Sequence, residues 1–280
     1  MIETPLATAA IPQRQWFISD ASTHFGSVLA QAVLDQGDRV IGAVRTLEQS
    51  DAFDRLAPGR SIGRVVNFQD PEAIRLIVIA VEQSLGPIDV MVNLSCCRHE
   101  GTIEESGLED LRHQFERNVF TTVSAIRAVL PFMRARRRGH IVNLTSVGGL
   151  VTLPGRAFYH GSKFALEGIT EALGKEVRPL GIYVTAVEPG AFPLGSPPQA
   201  TQAKRHIGDY EPVLAGRAMD ALPSDPEKVA QAVVAAVNSP EPPAHLVLGS
   251  DALAQVRGKL YDLALELQTW EATSLSTSAA

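Results

Sequence analysis

Short β-rich apolar runs alternate with longer stretches of helical period along most of this chain, and that alternation constrains its fold more than any other feature. Continuous apolar strands separated by amphipathic helices are the pattern of a mainly parallel sheet covered on both faces. The runs at 16–19, 39–44, 64–68, 89–94, 140–145, 182–187 and 245–248 predict seven strands. Helical periods at 26–36, 71–85, 108–137, 156–178, 226–237 and 253–267 predict the helices between and after them. Asp70-Pro71 and Asp225-Pro226 each read as an N-cap followed by proline in the first turn, and Gly37 suits the left-handed residue that ends the first helix. The expectation is one doubly wound α/β domain over 14–267 with a seven-stranded, mostly parallel sheet.

Three segments stand outside that rhythm. Residues 1–13 read as a flexible arm and 268–280 as a polar tail that frays. The stretch 190–224 carries four prolines from Pro193 to Pro212 and no clean period. A loop this long in a compact domain usually has a function, and its position after the sixth strand predicts a lid over the ligand crevice.

Charge and composition exclude several classes. A net charge of −6 argues against a nucleic-acid partner, which needs a surplus of Lys and Arg on one face. The basic run Arg134 to Arg138 falls at a helix end, where cations complement the dipole. No apolar stretch approaches the roughly 20 residues that span a bilayer, so no membrane partner is expected. The start of the chain lacks the cationic region of a signal peptide, and the only two cysteines, Cys96 and Cys97, are adjacent. Both features predict a reducing, cytoplasmic setting. Cys96, Cys97 and His99 complete no zinc spacing and are expected to be small thiols and a loop histidine, bordering the substrate pocket.

Tyr159 and Lys163 lie four apart at the start of a predicted helix and share a face. A phenol ionises near pH 10, and an ammonium beside it favours the phenolate, which makes an acid–base group usable near neutrality. Ser146 ends the fifth predicted strand, where the sheet delivers side chains to the crevice. Its hydroxyl can hold a substrate oxygen beside the phenol.

The text around these residues resembles the short-chain dehydrogenase/reductase family. The matches are Gly139 to Gly149 around Ser146, Tyr159-His-Gly-Ser-Lys163, Asn118 within Phe115-Glu-Arg-Asn-Val-Phe, and Val187-Glu-Pro189-Gly190, in order and covering about 14–265. The resemblance implies a Rossmann-type fold. It implies Tyr159 as general acid in reduction and base in oxidation, with Ser146 orienting the reacting oxygen. Lys163 would lower the tyrosine pKa and hold the nicotinamide ribose, and Asn118 would support Lys163 through water. It also implies a homodimer or homotetramer built through the helices at 108–137 and 156–178.

The same resemblance assigns a dinucleotide site to Ser19, Thr23, Phe25, Gly26, Arg45, Asn67, Phe68, Asn93, Tyr159, Lys163, Pro189 and Gly190. Arg45 matches the position that pairs a 2′-phosphate and favours NADP(H) over NAD. Several positions depart from the family pattern. The turn Thr-Gly-x-x-x-Gly-x-Gly reads Ser19-Asp20-Ala-Ser-Thr-His24-Phe25-Gly26, so only its last glycine remains. Asp20 brings negative charge toward an anionic ligand. Asn93-Leu94-Ser95-Cys96 replaces Asn-Asn-Ala-Gly, Asn67 replaces an aspartate, and Leu194 replaces a threonine. The leading expectation is an NADP-dependent oxidoreductase acting on a carbonyl or secondary alcohol of a hydrophobic substrate. One alternative keeps the tyrosine–lysine pair for dehydration, isomerisation or cyclisation without a nicotinamide cofactor. Another is a non-catalytic scaffold subunit.

Overall fold

The computed structural model describes residues 13–68, 70–94, 97–191, 200–215 and 223–278. Its chain runs β1 (Gln15–Ile18), α1 (His24–Asp35), β2 (Arg39–Val44), α2 (Leu47–Asp54), β3 (Ser61–Val65), α3 (Pro71–Ser84), β4 (Val90–Leu94) and β5 (Arg98–Glu100). It continues through α4 (Leu108–Phe115), a π-helical turn at Glu116–Phe120, α5 (Thr121–Arg136), β6 (Gly139–Leu144), α6 (Ala157–Val177) and β7 (Ile182–Pro189). β8 (Ala200–Gln202), α7 (Glu211–Ala215), α8 (Pro226–Asn238), β9 (His245–Leu248), α9 (Ser250–Thr269) and α10 (Glu271–Ser276) complete it.

Seven strands pair in the order β3-β2-β1-β4-β6-β7-β9, and every pairing is parallel. This is the doubly wound sheet that the alternation predicts, with no antiparallel edge. Both faces are covered. Trp16, Ile18, Val40 and Val92 pack with Phe25 and Leu29 of α1 and Val233 of α8 on one side. Phe17, Ile41, Met91 and Ile141 pack with Ile74 of α3, Val129 of α5 and Leu173 of α6 on the other. Burial on both faces is why the strands read as unbroken apolar runs. The order reverses at β1 and β4, so the ligand crevice opens at their carboxyl ends.

Local chemistry starts the helices, at Asp70 and Asp225 as the sequence predicts. Thr23, Asp70 and Asp225 each accept a backbone N–H in the first turn of α1, α3 and α8. Other expectations are corrected. β3 begins at Ser61, earlier than the 64–68 run, because register with β2 sets Ser61 beside Val40. α2 has mean hydropathy too low to betray a helix, yet Thr46 caps it and Phe53 anchors it. The helix expected over 108–137 is interrupted by the π turn at Glu116–Phe120.

The segment 190–224, expected to form a lid, carries more structure than its prolines suggest. β8 pairs in parallel with β5, aligning His99 with Thr201, and the ring nitrogens of His99 bond the hydroxyls of Thr201 and Ser106, both at 2.9 Å. The backbone N–H of Ile207 donates to the Glu105 carboxylate at 2.8 Å. Residues 268–278, expected to fray, are largely helical through the end of α9 and α10. The arm at 1–12, Cys96, Leu194 and the remainder of the lid lie outside the described residues. Among the described residues no helix is long and apolar enough to cross a membrane.

Candidate active site

The wall of the crevice is built where β6 ends and α6 begins. Ser146 follows β6 in extended conformation, and its Oγ accepts the Gly148 N–H at 3.0 Å. Tyr159 and Lys163 stand one turn apart in α6, Tyr159 nearly buried and Lys163 wholly so. Lys163 Nζ donates to the carbonyl of Leu144 at 3.2 Å, two residues before Ser146. A fully buried ammonium is costly unless it is hydrogen-bonded and meets negative charge, so this position is not one that a surface lysine drifts into.

Asn118 sits in the π turn, fully buried. Its Oδ1 accepts the Cys97 N–H at 2.9 Å, and its Nδ2 donates to the Cys97 carbonyl at 2.8 Å and to Ser162 Oγ at 2.9 Å. Ser162 Oγ in turn donates to the Tyr159 carbonyl at 2.7 Å. One amide therefore ties the strand end at Cys97 to the helix that carries Tyr159 and Lys163. A π turn is a common device for aiming a side chain at a functional position.

Sequence reading passed over two residues that hold this wall. His160 accepts the Leu153 N–H on Nε2 at 2.9 Å, so Nδ1 carries the proton and donates to the Gly148 carbonyl at 2.7 Å. Burial lowers its pKa, which keeps the ring neutral. A Cβ on Gly148 would stand 2.9 Å from His160 Nδ1 and 3.1 Å from the Tyr159 ring, so a side chain there would push on both rings. Ser162 is the second. Its only sequence signal is its place between Tyr159 and Lys163.

Behind the wall, Glu167 of α6, Glu188 of β7 and His245 of β9 bring their polar atoms within 4.8 Å of one another. Burial, then the neighbouring Glu167 charge, pushes Glu188 up to about 7. Burial also raises Glu167. Burial pulls His245 down, but its hydrogen bond with Glu188 at 2.7 Å and the nearby carboxylates outweigh that and raise it. Glu167 and Glu188 are buried, while His245 reaches the surface.

The opposite side of the crevice is the turn after β1. Asp20 adopts φ 57°, the left-handed region that glycine favours and aspartate tolerates. Its carboxylate accepts from Ser22 Oγ at 2.6 Å and forms an ion pair with Arg45 Nη2, also at 2.6 Å. Arg45 is therefore not a free anion receptor, as the sequence implied, but is already engaged by a carboxylate. It also lies 5.7 Å from the centre of the Phe68 ring. Thr23 caps α1 by accepting the Gly26 N–H at 3.0 Å and donating to the Asp20 carbonyl at 3.0 Å. A Cβ on Gly26 would strike that same carbonyl at 2.6 Å and Ala21 Cα at 2.8 Å. This explains why the last glycine of the turn is kept.

Ser19, Asp20, Phe68, Asn93 and Arg117 line one small cleft at the carboxyl ends of β1 and β4. Ser19 Oγ accepts the Leu94 N–H at 2.8 Å, and Asn93 Nδ2 donates to Asn143 at 2.8 Å. Asn93 Oδ1 is buried without a hydrogen-bond partner. A buried acceptor left open beside a cleft fits a donor supplied by a ligand. Asn67 sits between β3 and α3, near the rim. Phe25 faces the core, which leaves only its backbone available to the crevice. Pro189 ends β7, and Gly190 donates to the Leu248 carbonyl at 3.0 Å. Asp251, unremarked in the sequence, accepts the Ala191 N–H at 2.8 Å and holds the exit of that strand. Among the described residues Cys97 is buried and its thiol raised by burial, with Gln114 Nε2 3.2 Å from the sulfur.

The described residues thus form two groups, the turn after β1 with the start of α1 and the tyrosine–lysine pair of α6. Backbone N–H groups at the start of α1, with Asn93 Oδ1 and Lys163, are the groups that could hold a dinucleotide there.

Comparisons with known proteins agree with that architecture. The model of the short chain dehydrogenase family matches residues 17–203. Oxidoreductase BOA17 of Botryotinia fuckeliana is 27% identical over 94% of this chain and 98% of its own length. The 3-ketodihydrosphingosine reductase of Bacteroides thetaiotaomicron is 36% identical over 64% of each chain. A short-chain dehydrogenase of known structure from Streptomyces avermitilis is 34% identical, covers 96% of this chain and all of its own, and superposes with a TM-score of 0.90. The actinorhodin polyketide ketoreductase, solved with NADPH as a single-residue variant, is 25% identical over 86% of this chain and 97% of its own, with a TM-score of 0.70. Sheet order, crevice and family match converge: this chain is a member of the short-chain dehydrogenase family of oxidoreductases.

Proposed function

We propose that the chain is an NADP(H)-dependent oxidoreductase that interconverts a carbonyl and a secondary alcohol on a hydrophobic substrate. The observation that carries this reading is the fully buried Lys163 ammonium, bonded to the end of β6 and one helical turn from Tyr159. A charge held there favours the phenolate and brings proton transfer by Tyr159 into the neutral range. Tyr159 donates its proton to the substrate oxygen in reduction and takes it back in oxidation. Ser146 orients that oxygen, and Lys163 also meets the nicotinamide ribose. Asn118 acts from behind, by tying Cys97 to Ser162 and so fixing where α6 starts. The cofactor, when bound, supplies or accepts the hydride.

Ser19, Thr23, Gly26, Phe68 and Asn93, with the backbone of Phe25, would hold the dinucleotide, with Asn67 at the adenine and Pro189 and Gly190 flanking the nicotinamide. Arg45 would meet the 2′-phosphate on its exposed side while Asp20 occupies the other. Relatives support the substrate class by name: a 3-ketodihydrosphingosine reductase and human retinol dehydrogenase 8, the latter 30% identical over 84% of this chain and 81% of its own. Titration with NADPH, followed by turnover of long-chain ketones beside small polar sugars, tests the reading. No NADPH binding, or preferred turnover of the sugars, counts against it. Turnover without any nicotinamide that disappears in Tyr159→Phe would instead favour the non-redox alternative suggested by Asp20 in a glycine position.

A further inference from the structure

Past Val256 the last long helix leaves the body of the domain. α9 is anchored at its start, where Asp251 holds the Ala191 backbone and Ala252 is buried. From Arg257 to Ser278 every residue is exposed. Helices in proteins draw most of their stability from packing an apolar face, and among the described residues this length of helix packs against nothing.

Its exposed face is ordered. Leu253, Val256, Leu260, Leu263, Leu267 and Trp270 recur at alternating spacings of three and four, the a and d seam of a coiled coil. Trp270 joins α9 to α10 at φ −104°, with its N–H donating to the Glu266 carbonyl at 3.0 Å and its own carbonyl accepting from Ser274 at 2.9 Å. Leu260, Leu267 and Trp270 are each at least 60% exposed. Tyr261 and Leu265 fall on the opposite side, where single exposed apolar residues are ordinary.

A strict 3.5-residue seam fits another helix, and the flanking charges select which one. With Leu253, Leu260 and Leu267 at a, Arg257 and Glu271 occupy e positions, and Lys259 and Glu266 occupy g positions. The basic pair lies in the first half and the acidic pair in the second. A second copy lying parallel sets Glu266 of one chain beside Glu271 of the other. A second copy lying antiparallel sets Lys259 of each chain beside Glu266 of the other, twice by symmetry. In that register Leu260 meets Leu263, Val256 meets Leu267, and Leu253 meets Trp270. We propose that the α9 seam is an antiparallel, two-fold interface with a second copy of this chain. The inference is independent of the proposed reaction.

Sedimentation equilibrium of the full chain tests it. Wild type sediments as an even-numbered assembly, and Leu260→Glu with Leu263→Glu halves its mass. Lys259→Glu weakens association about tenfold, as expected for a close interfacial charge pair. Adding Glu266→Lys to Lys259→Glu restores it, and these surface changes leave the helix itself intact. A monomeric wild type, or an unchanged mass in the leucine double variant, overturns the interface. A charge reversal that fails to restore association overturns the antiparallel register. A monomer that co-sediments with phosphatidylcholine–phosphatidylglycerol vesicles and loses them in the leucine double variant makes the seam a lipid face instead.

Discussion

The two walls of the crevice keep their chemistry by different means. On the α6 side the polar groups are held mostly through backbone partners: Lys163 to Leu144, Ser146 to Gly148, Asn118 to Cys97 and His160 to Gly148 and Leu153, with Asn118 also bonded to the Ser162 side chain. A substitution there leaves a buried polar group unpaired. On the β1 side the turn needs a shape more than a residue. Asp20 reaches the left-handed backbone a glycine would take, and Ser22 and Arg45 neutralise what its side chain adds. Only Gly26 has no such latitude, because a side chain there meets backbone atoms that cannot move aside. Departures from a family motif are tolerable where a partner can absorb them and not where space is already filled.

Breaking the α6 wall has the largest expected effect. Tyr159→Phe keeps the ring packing and removes the proton, so turnover should fall about 10³-fold, within the usual range for loss of a general acid. Steady-state kinetics checks it, with NADPH affinity unchanged.

A titrating carboxyl lies behind the same wall. Glu188 is held protonated up to about 7 in the fold, first by burial and then by Glu167, while unfolded it titrates near 4.5. A carboxyl with a raised folded pKa stabilises the fold below its unfolded value and loses that contribution as pH climbs to the folded value. Wild type should therefore lose up to about 3 kcal/mol between pH 4.5 and 7 through this group. Urea denaturation of Glu188→Gln should show the pH slope flattened across that window. His245, Glu167 and Lys163 share the environment, so an unchanged slope would assign the titration elsewhere.

On the β1 side, Gly26→Ala should cost about 2 kcal/mol by overpacking against Asp20 and Ala21, read as a lower urea midpoint at constant slope. Asp20→Asn sharpens the comparison most finely. It leaves the turn hydrogen-bonded but frees Arg45, and NADPH should bind about tenfold tighter, or roughly 1.4 kcal/mol, with NADH little changed. Equal effects on both cofactors would mean that Arg45 does not meet the 2′-phosphate.

Much of this was legible before any coordinates. The strand–helix alternation, the caps at Asp70 and Asp225, and the shared face of Tyr159 and Lys163 all depend on residues within a turn or two of each other. The heptad of α9 is equally local, yet reading 253–267 as an ordinary helix missed it, because a seam announces a partner only when the fold leaves it bare. The start of β3, the helix α2 and the π turn at Asn118 escaped for a different reason. Weak local patterns there yield to strand register and to packing from elsewhere in the chain.

The sequence by itself determined the doubly wound class, the family, and which residues line one face of α6, since periodicity and short spacing are properties of neighbouring residues. Only the tertiary structure decided that Arg45 pairs with Asp20, that Glu188 finds His245 across two strands, and that β8 runs beside β5. Those pairings join residues 25, 57 and about 100 positions apart. Charge and burial at such distances arise only once the sheet has brought the segments together, and no local pattern records them.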